Sequence, residues 1–240
     1  MEGQKLWRLG GACAMLAGVL YLAVLPISVV PLLATGESPT ALFEAAPFYA
    51  LIDRIPLPFL LGGLGFGLAA ILALALVPAL GALVGSMSPA VVRWMSAIAY
   101  LGLAVGAVSA IHGTDLSVRI ASTYASGDPA IRATIVALYP PTALTFDTWG
   151  LLQFGGVGLW ILVVCQLARR NALLPSRLAY LGIGVGILYW FSVVGEFLQI
   201  EALSGIGSGL GIVAGGVWYL WIGRTLWRRA GQRGVTPGGG

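Results

Sequence analysis

Six long apolar stretches alternate with short polar segments along the chain, at residues 9–33, 55–84, 91–112, 144–168, 178–200 and 206–227. Each is about 20 residues or longer, which is enough for a helix to cross the hydrocarbon core of a bilayer. A membrane-spanning segment must satisfy its own backbone hydrogen bonds, which favours helices. The pattern therefore predicts an all-α polytopic membrane protein, a bundle of six transmembrane helices.

The polar segments between the predicted spans carry signals for short helices. Ser38, with the proline after it, has the pattern of a helix start, and Pro47 is predicted to end that helix. The third span is predicted to continue as a helix toward residue 124. Asp128, followed by a proline, is predicted to cap a helix over 130–139, which is too short to span a membrane and suits its outer surface. We expect both short helices to be interfacial.

Composition supports a lipid-facing surface. Of the 240 residues, 58% are hydrophobic and 9% are charged, whereas a soluble domain has about 25% charged residues. Six spans with short loops occupy most of this length, so residues 1–230 are predicted to form a single six-helix transmembrane domain. Residues 231–240 are glycine-rich and are predicted to be a disordered cytoplasmic tail.

The charges are sorted by sign between the two sides of the predicted membrane. One side has nearly all the basic residues, with only Glu2 against them: Lys5, Arg8, Arg93, Arg169, Arg170, Arg177, Arg224, Arg228, Arg229 and Arg233. Basic residues near the ends of spans stay in the cytoplasm, so both termini are predicted to be cytoplasmic. The same bias accounts for the formal charge of +4. No basic, aromatic-rich module is present, so nucleic acid is not an expected partner.

Glycines recur at intervals of four residues in the predicted spans. The longest series is Gly207, Gly211 and Gly215 in the sixth span. Shorter pairs are Gly63 with Gly67, Gly102 with Gly106, and Gly182 with Gly186. Small residues at this spacing let helix backbones approach closely in lipid. These faces are expected to pack within the bundle, against a second copy or against another membrane protein, and membrane lipids are the other expected partners.

Ionisable residues gather near the outer ends of the spans. The candidate ligand-binding cluster is His112, Asp115, Arg119, Asp147, Glu196 and Arg54. Three interpretations stay open: an ion-pair network, a pocket for a polar ligand, lipid headgroup or transported ion, and a catalytic or metal site. Glu196 is predicted to face the bundle interior near at least one of the others, because an unpaired carboxylate in lipid costs several kcal/mol.

Known chemical motifs give no support for catalysis or for a cofactor. His112 is the only histidine and Lys5 the only lysine, so a bis-histidine haem and a mid-span retinal lysine are excluded. GxSxG, HExxH and Walker motifs are absent. No catalytic residue, metal site or cofactor is assigned. The sequence favours a non-enzymatic protein that binds a lipid, ligand or partner, and the alternative is a small secondary transporter or channel with polar access at the outer ends of helices 3–5.

Two stretches carry a resemblance to a known family. Residues 147–149 lead into an apolar helix, a basic turn at 169–178 ending Leu-Pro-Ser-Arg-Leu, and a glycine-rich helix from Gly182. This layout, with the string at 124–133, resembles an uncharacterised bacterial family of six-span membrane proteins, classed as a domain of unknown function. The resemblance implies a bacterial cytoplasmic membrane protein and supplies no activity or site residues.

Overall fold

The computed structural model describes residues 2–36, 44–139, 144 and 146–232. Nine α-helices lie in these ranges: α1 Glu2–Ala34, α2 Ala45–Arg54, α3 Pro56–Ala73, α4 Leu76–Val84, α5 Pro89–Ser126, α6 Pro129–Leu138, α7 Val157–Arg170, α8 Ser176–Leu198 and α9 Glu201–Gln232. A π-helical turn, Leu151–Gly156, leads directly into α7. The described residues contain no β-strand. The predicted all-α fold is confirmed.

Six segments of these helices are long and apolar enough to cross a membrane, which confirms the predicted six-span bundle. They are Gly3–Ile27, Pro56–Val84, Pro89–Ser126, Leu151–Arg170, Ser176–Leu198 and Glu201–Gln232. Each span packs against the next in sequence, and α9 packs against α1. The six spans therefore close into a ring. We call the end of the bundle that holds Asp147 and Glu196 the acidic end, and the opposite end, which holds Arg169 and Arg177, the basic end.

Two predicted element boundaries are wrong. The first short helix contains Pro47 in its opening turn instead of ending there, because the N–H groups of a first turn have no intrahelical partner and proline costs little. Ser38 lies outside the described residues. The fourth span begins at Leu151 and not at residue 144. Gly150 has φ +66°, a left-handed conformation, so the helix of the fourth span cannot extend back through this residue.

The second span is interrupted between α3 and α4. Pro78 has no backbone N–H to donate to the carbonyl of Leu74, and Val77 N donates to that carbonyl instead, at 3.3 Å. The shorter hydrogen-bonding step tightens the helix for one turn, which is the usual response to a proline within a span.

The helix α5 is longer than a bilayer requires. Its 38 residues make a rod of about 57 Å, against a hydrocarbon core of about 30 Å. The acidic end of this rod packs with the short helices α2 and α6. Asp128 caps α6 as predicted, because its Oδ1 accepts from Ala130 N and Ile131 N at 2.9 Å each.

Tyr49 links α2 to the C-terminal end of α6. It is fully buried, and its hydroxyl donates to the carbonyl of Tyr139 at 2.7 Å. Burial, and to a smaller extent Tyr139, raises the pKa of Tyr49 to about 12. The phenol therefore remains a neutral donor at any physiological pH.

The glycine face of α9 lies against another helix of the same bundle, as predicted. A Cβ at Gly207 would overlap the backbone of Ser192 on α8. Gly211 lies against the ring of Tyr189, and a Cβ at Gly215 would lie 2.7 Å from the Tyr189 hydroxyl. The backbones of α8 and α9 therefore approach so closely at Gly207 that a larger residue there would force the two helices apart, whereas at Gly211 and Gly215 the neighbour is the Tyr189 side chain.

Candidate functional site

The basic half of the ring is filled with large apolar side chains. Those with no solvent exposure include Trp160, Trp218, Leu76, Leu80, Ile161 and Ile222. They belong to the second, fourth and sixth spans and form one continuous core. Polar side chains that can carry function therefore have to be sought toward the acidic end and the centre.

Asp115 and Arg119 form the ion pair that their spacing on one helix predicts. The Arg119 Nε donates to both carboxylate oxygens, at 3.0 and 3.1 Å. The side chains are 59% and 76% exposed, and an exposed pair of this kind stabilises by less than about 1 kcal/mol. His112, also exposed, stacks on Phe146 with ring centroids 4.7 Å apart. All three side chains are exposed, so within the part of the chain that the structure describes they form a polar surface.

Glu196 is half-buried near the end of α8, and its partner is a residue that the sequence pattern does not single out. Its Oε1 accepts a hydrogen bond from Ser204 Oγ on α9. Arg54 is exposed at the last position of α2. Among the described residues, no group of three or more His, Cys, Asp or Glu side chains converges in a way that could hold a metal ion.

The carboxylate of Asp147 stabilises the start of the fourth span. Its Oδ2 accepts from the backbone N–H groups of Leu152 and Gln153, at 2.8 Å each. Its own carbonyl accepts from Gly150 N, also at 2.8 Å. A carboxylate that accepts two N–H groups at the start of a helix neutralises the positive end of the helix dipole. Asp147 therefore fixes the π-helical turn that opens the fourth span.

A small cavity lies at the centre of the ring and is lined from all six spans. Its polar lining residues are Tyr21, Gln153, Tyr189 and Tyr219. Aromatic contacts join lining residues of different spans: the ring centroids of Tyr21 and Tyr219 lie 5.5 Å apart, as do those of Phe154 and Tyr189. The volume is about 20 Å³, room for about one water molecule.

The π-helical turn brings Gln153 and Phe154 to this cavity. The turn packs directly on the backbone of α5, since a Cβ at Gly106 would lie 3.2 Å from Cγ of Gln153 and one at Gly102 would overlap the carbonyl oxygen of Leu152. π-helical turns within helices occur frequently at functional sites. Asp147, chosen from the sequence as a site residue, thus acts on the cavity through the backbone of Gln153.

Sequence reasoning missed the cavity residues. Tyr21, Gln153, Tyr189 and Tyr219 are uncharged, lie far apart in the chain and resemble ordinary packing residues of a span. The one available signal was the set of glycines at 102 and 106, which indicated that a neighbouring backbone approaches α5 closely. It did not indicate which residue that neighbour would place there.

A closed ring of six apolar helices around a small polar and aromatic cavity defines a multi-pass integral membrane protein. The chain belongs to the family described as Domain of unknown function (DUF4386), which it matches over residues 7–227. The predicted resemblance to an uncharacterised six-span family is therefore confirmed. No curated protein and no solved structure matches the chain.

Proposed function

We propose that this membrane protein is non-enzymatic and binds a small uncharged molecule in the cavity at the centre of the ring. The observation that supports this is the lining: every span contributes, and Tyr21, Gln153, Tyr189 and Tyr219 supply hydrogen-bonding groups at a depth where packing alone would favour hydrocarbon. Convergent polar groups in a mostly apolar cavity are the usual composition of a small-molecule site.

The chemistry of the lining favours a neutral ligand. None of the lining residues carries a charge, and burying an isolated ion in such surroundings costs many kcal/mol. Hydroxyl and amide groups both donate and accept hydrogen bonds, so the ligand needs at least one such group. The present volume suits a water-sized occupant, and a larger one requires the aromatic side chains to move apart.

The alternative of a transporter or channel is less favoured by the packing. Passage toward the basic end would have to cross the layer that contains Trp160 and Trp218, neither of which has any exposed surface. Polar access at the acidic end agrees with either function. A binding protein needs only that one side be open.

A cavity-filling variant tests the proposed function. Ala70 lines the cavity and is 2% exposed, so Ala70→Val should occupy the space. We expect wild-type protein purified from its own membrane to retain a small neutral molecule, detected by mass spectrometry after denaturation or as ordered density, and Ala70→Val to lose it. Ala82→Val is the matched control, because Ala82 lies on the same span and is exposed.

Two results would contradict this function. If extracts of wild type and Ala70→Val are identical, the cavity does not hold the molecule. If the only effect of Ala70→Val is to raise the unfolding free energy, by the roughly 0.5–2 kcal/mol typical of filling an empty void, the cavity is a packing defect.

We further propose that the protein lies in the bacterial cytoplasmic membrane with both termini in the cytoplasm. Support comes from the charge pattern, because arginines cluster at the basic end and carboxylates at the other. Apolar side chains exposed around the ring, such as Leu61, Leu101 and Leu210, would contact membrane lipids.

The proposed orientation predicts which exposed serines an outside reagent can reach. Ser126 and Ser176 are both exposed, at the acidic and basic ends respectively. In a background lacking Cys13 and Cys165, Ser126→Cys should react in intact cells with a membrane-impermeant maleimide, and Ser176→Cys should react only after lysis. The reverse result would show that the orientation is inverted.

A further inference from the structure

Three arginines gather where the fourth and fifth spans meet at the basic end. Arg169 and Arg170 are the last two residues of the fourth span, and Arg177 is the second residue of the fifth. Residues 148–195 include no Asp or Glu, and Glu2 is the only acidic residue that the charge pattern assigns to this side of the membrane. This corner of the bundle therefore carries uncompensated positive charge at the height where a bilayer presents its headgroups.

The guanidinium of Arg169 is held in place by neighbouring side chains. Its Nε donates to Oε1 of Gln166 at 3.1 Å, and its Nη1 donates to the hydroxyl of Tyr180 on α8 at 3.0 Å. The Arg169 Cζ also lies 5.2 Å from the centroid of the Tyr180 ring. Within the described residues these are the only hydrogen bonds of this side chain, so Nη2 is available to an outside acceptor. An arginine whose planar group is already fixed loses less conformational entropy when it binds an anion.

The face of α8 next to these arginines is apolar and points outward. Tyr180 lies one turn beyond Arg177 on the same side of the helix. That side continues into the membrane with Gly184, Ile187 and Phe191. Tyr180, Ile187 and Phe191 are all exposed. A Cβ added at Gly184 would meet nothing within 4 Å, so this row of side chains has a gap between Tyr180 and Ile187.

We propose that Arg169 and Arg177 bind the phosphate of an anionic phospholipid, and that an acyl chain of the same lipid lies along α8 through the gap at Gly184. Charge complementarity and depth support this occupant, because basic sites between spans at headgroup height bind anionic lipids. A soluble phosphate would contact the arginines but would leave the apolar row uncovered. The site lies on the outside of the bundle and does not depend on the central cavity.

Lipid titration of the purified protein in a neutral detergent tests the site, with bound lipid counted by native mass spectrometry. We expect dioleoylphosphatidylglycerol to bind the wild type at least about tenfold more tightly than the double variant Arg169→Ala, Arg177→Ala, the loss typical of a charge-assisted hydrogen bond. The matched control is Arg93→Ala, Arg224→Ala, which removes the same charge from exposed positions at the same end. It should bind within about twofold of the wild type, in line with weak contributions from exposed charges.

A second substitution tests the apolar part of the site without changing the charge. Gly184→Phe fills the gap beside Tyr180 and should weaken binding of the same lipid by about fourfold or more, the equivalent of one CH₂ group that no longer packs on the helix. Gly209→Phe is the control, because a Cβ at Gly209 also meets nothing within 4 Å but lies on α9, away from the arginines.

The other outcomes overturn the proposal or a stated part of it. Equal losses in the two double variants would mean that the lipid responds only to the overall charge of the basic end. Equal binding of dioleoylphosphatidylcholine would overturn the anionic headgroup, and displacement of the lipid by glycerol 3-phosphate at the same concentration would identify a soluble phosphate as the occupant. Equal effects of Gly184→Phe and Gly209→Phe would overturn the path of the acyl chain.

A single variant decides the matter should the double arginine variant misfold. Arg177 is exposed, so Arg177→Ala should leave the melting temperature of the lipid-free protein unchanged. We expect it to weaken binding of dioleoylphosphatidylglycerol by at least about threefold, within the range of one hydrogen bond to a charged group. An unchanged affinity would overturn the site.

Discussion

Replacing Gly207 by alanine should strongly destabilise the contact between α8 and α9. The new Cβ would overlap the backbone nitrogen of Ser192 and lie 2.8 Å from the carbonyl oxygen of Leu188. Backbone cannot rotate away as a side chain can, so α8 and α9 would have to separate. We expect a loss of about 1–3 kcal/mol in unfolding free energy, the usual scale of overpacking, measured by denaturant titration in detergent.

Gly209 provides the matched control on the same helix. A Cβ at Gly209 meets nothing within 4 Å, and alanine is intrinsically better than glycine in a helix by up to about 1 kcal/mol. Gly209→Ala should therefore be neutral or stabilising. The same substitution is therefore expected to lower the unfolding free energy at Gly207 and not at Gly209. Equal effects at both positions would show that the contact between α8 and α9 is not as close as described.

The six spans were predictable because their signal is one-dimensional. A run of about 20 apolar residues identifies a span without any knowledge of its neighbours. The start of the fourth span was not predictable in this way. Leu144 and Phe146 extend the apolar run, but the backbone conformation there depends on where the Asp147 carboxylate lies and on the positive φ of Gly150. Those are three-dimensional facts that hydropathy does not contain.

The candidate site was predictable only in part, because the sequence indicates how deep a residue lies along its span but not which way it faces. Charged residues near one end of the spans indicated a common height, but not which side of each helix they would occupy. Asp115 and Arg119 meet because i and i+4 share a face. Glu196 instead bonds to Ser204, because the turn between α8 and α9 places that hydroxyl beside it. The four polar residues of the cavity come from four different spans: Tyr21, Gln153, Tyr189 and Tyr219. They meet only because of the order of the spans around the ring, which hydropathy and composition do not determine.

Removing the carboxylate of Asp147 should have the second large effect. Asp147→Ala leaves the N–H groups of Leu152 and Gln153 without their acceptor, in a half-buried position. Hydrogen bonds to a charged group contribute about 1.5–3 kcal/mol each, and two that share one oxygen are not additive. We expect a loss of about 2–4 kcal/mol in unfolding free energy, together with faster amide exchange at Leu152 and Gln153.

Two other variants separate this role from ordinary helix capping. Asp128 also accepts two backbone N–H groups, but it is exposed and holds only α6, so Asp128→Ala should cost about 0.5–2 kcal/mol and leave the exchange of Gln153 unchanged. Asp147→Asn keeps an acceptor oxygen and should recover much of the stability. Because Gln153 borders the cavity, Asp147→Ala should also release the bound molecule, whereas Asp128→Ala should not. If Asp147→Ala is no more harmful than Asp128→Ala, the turn that opens the fourth span is held by its packing on α5, and Asp147 does not position the cavity.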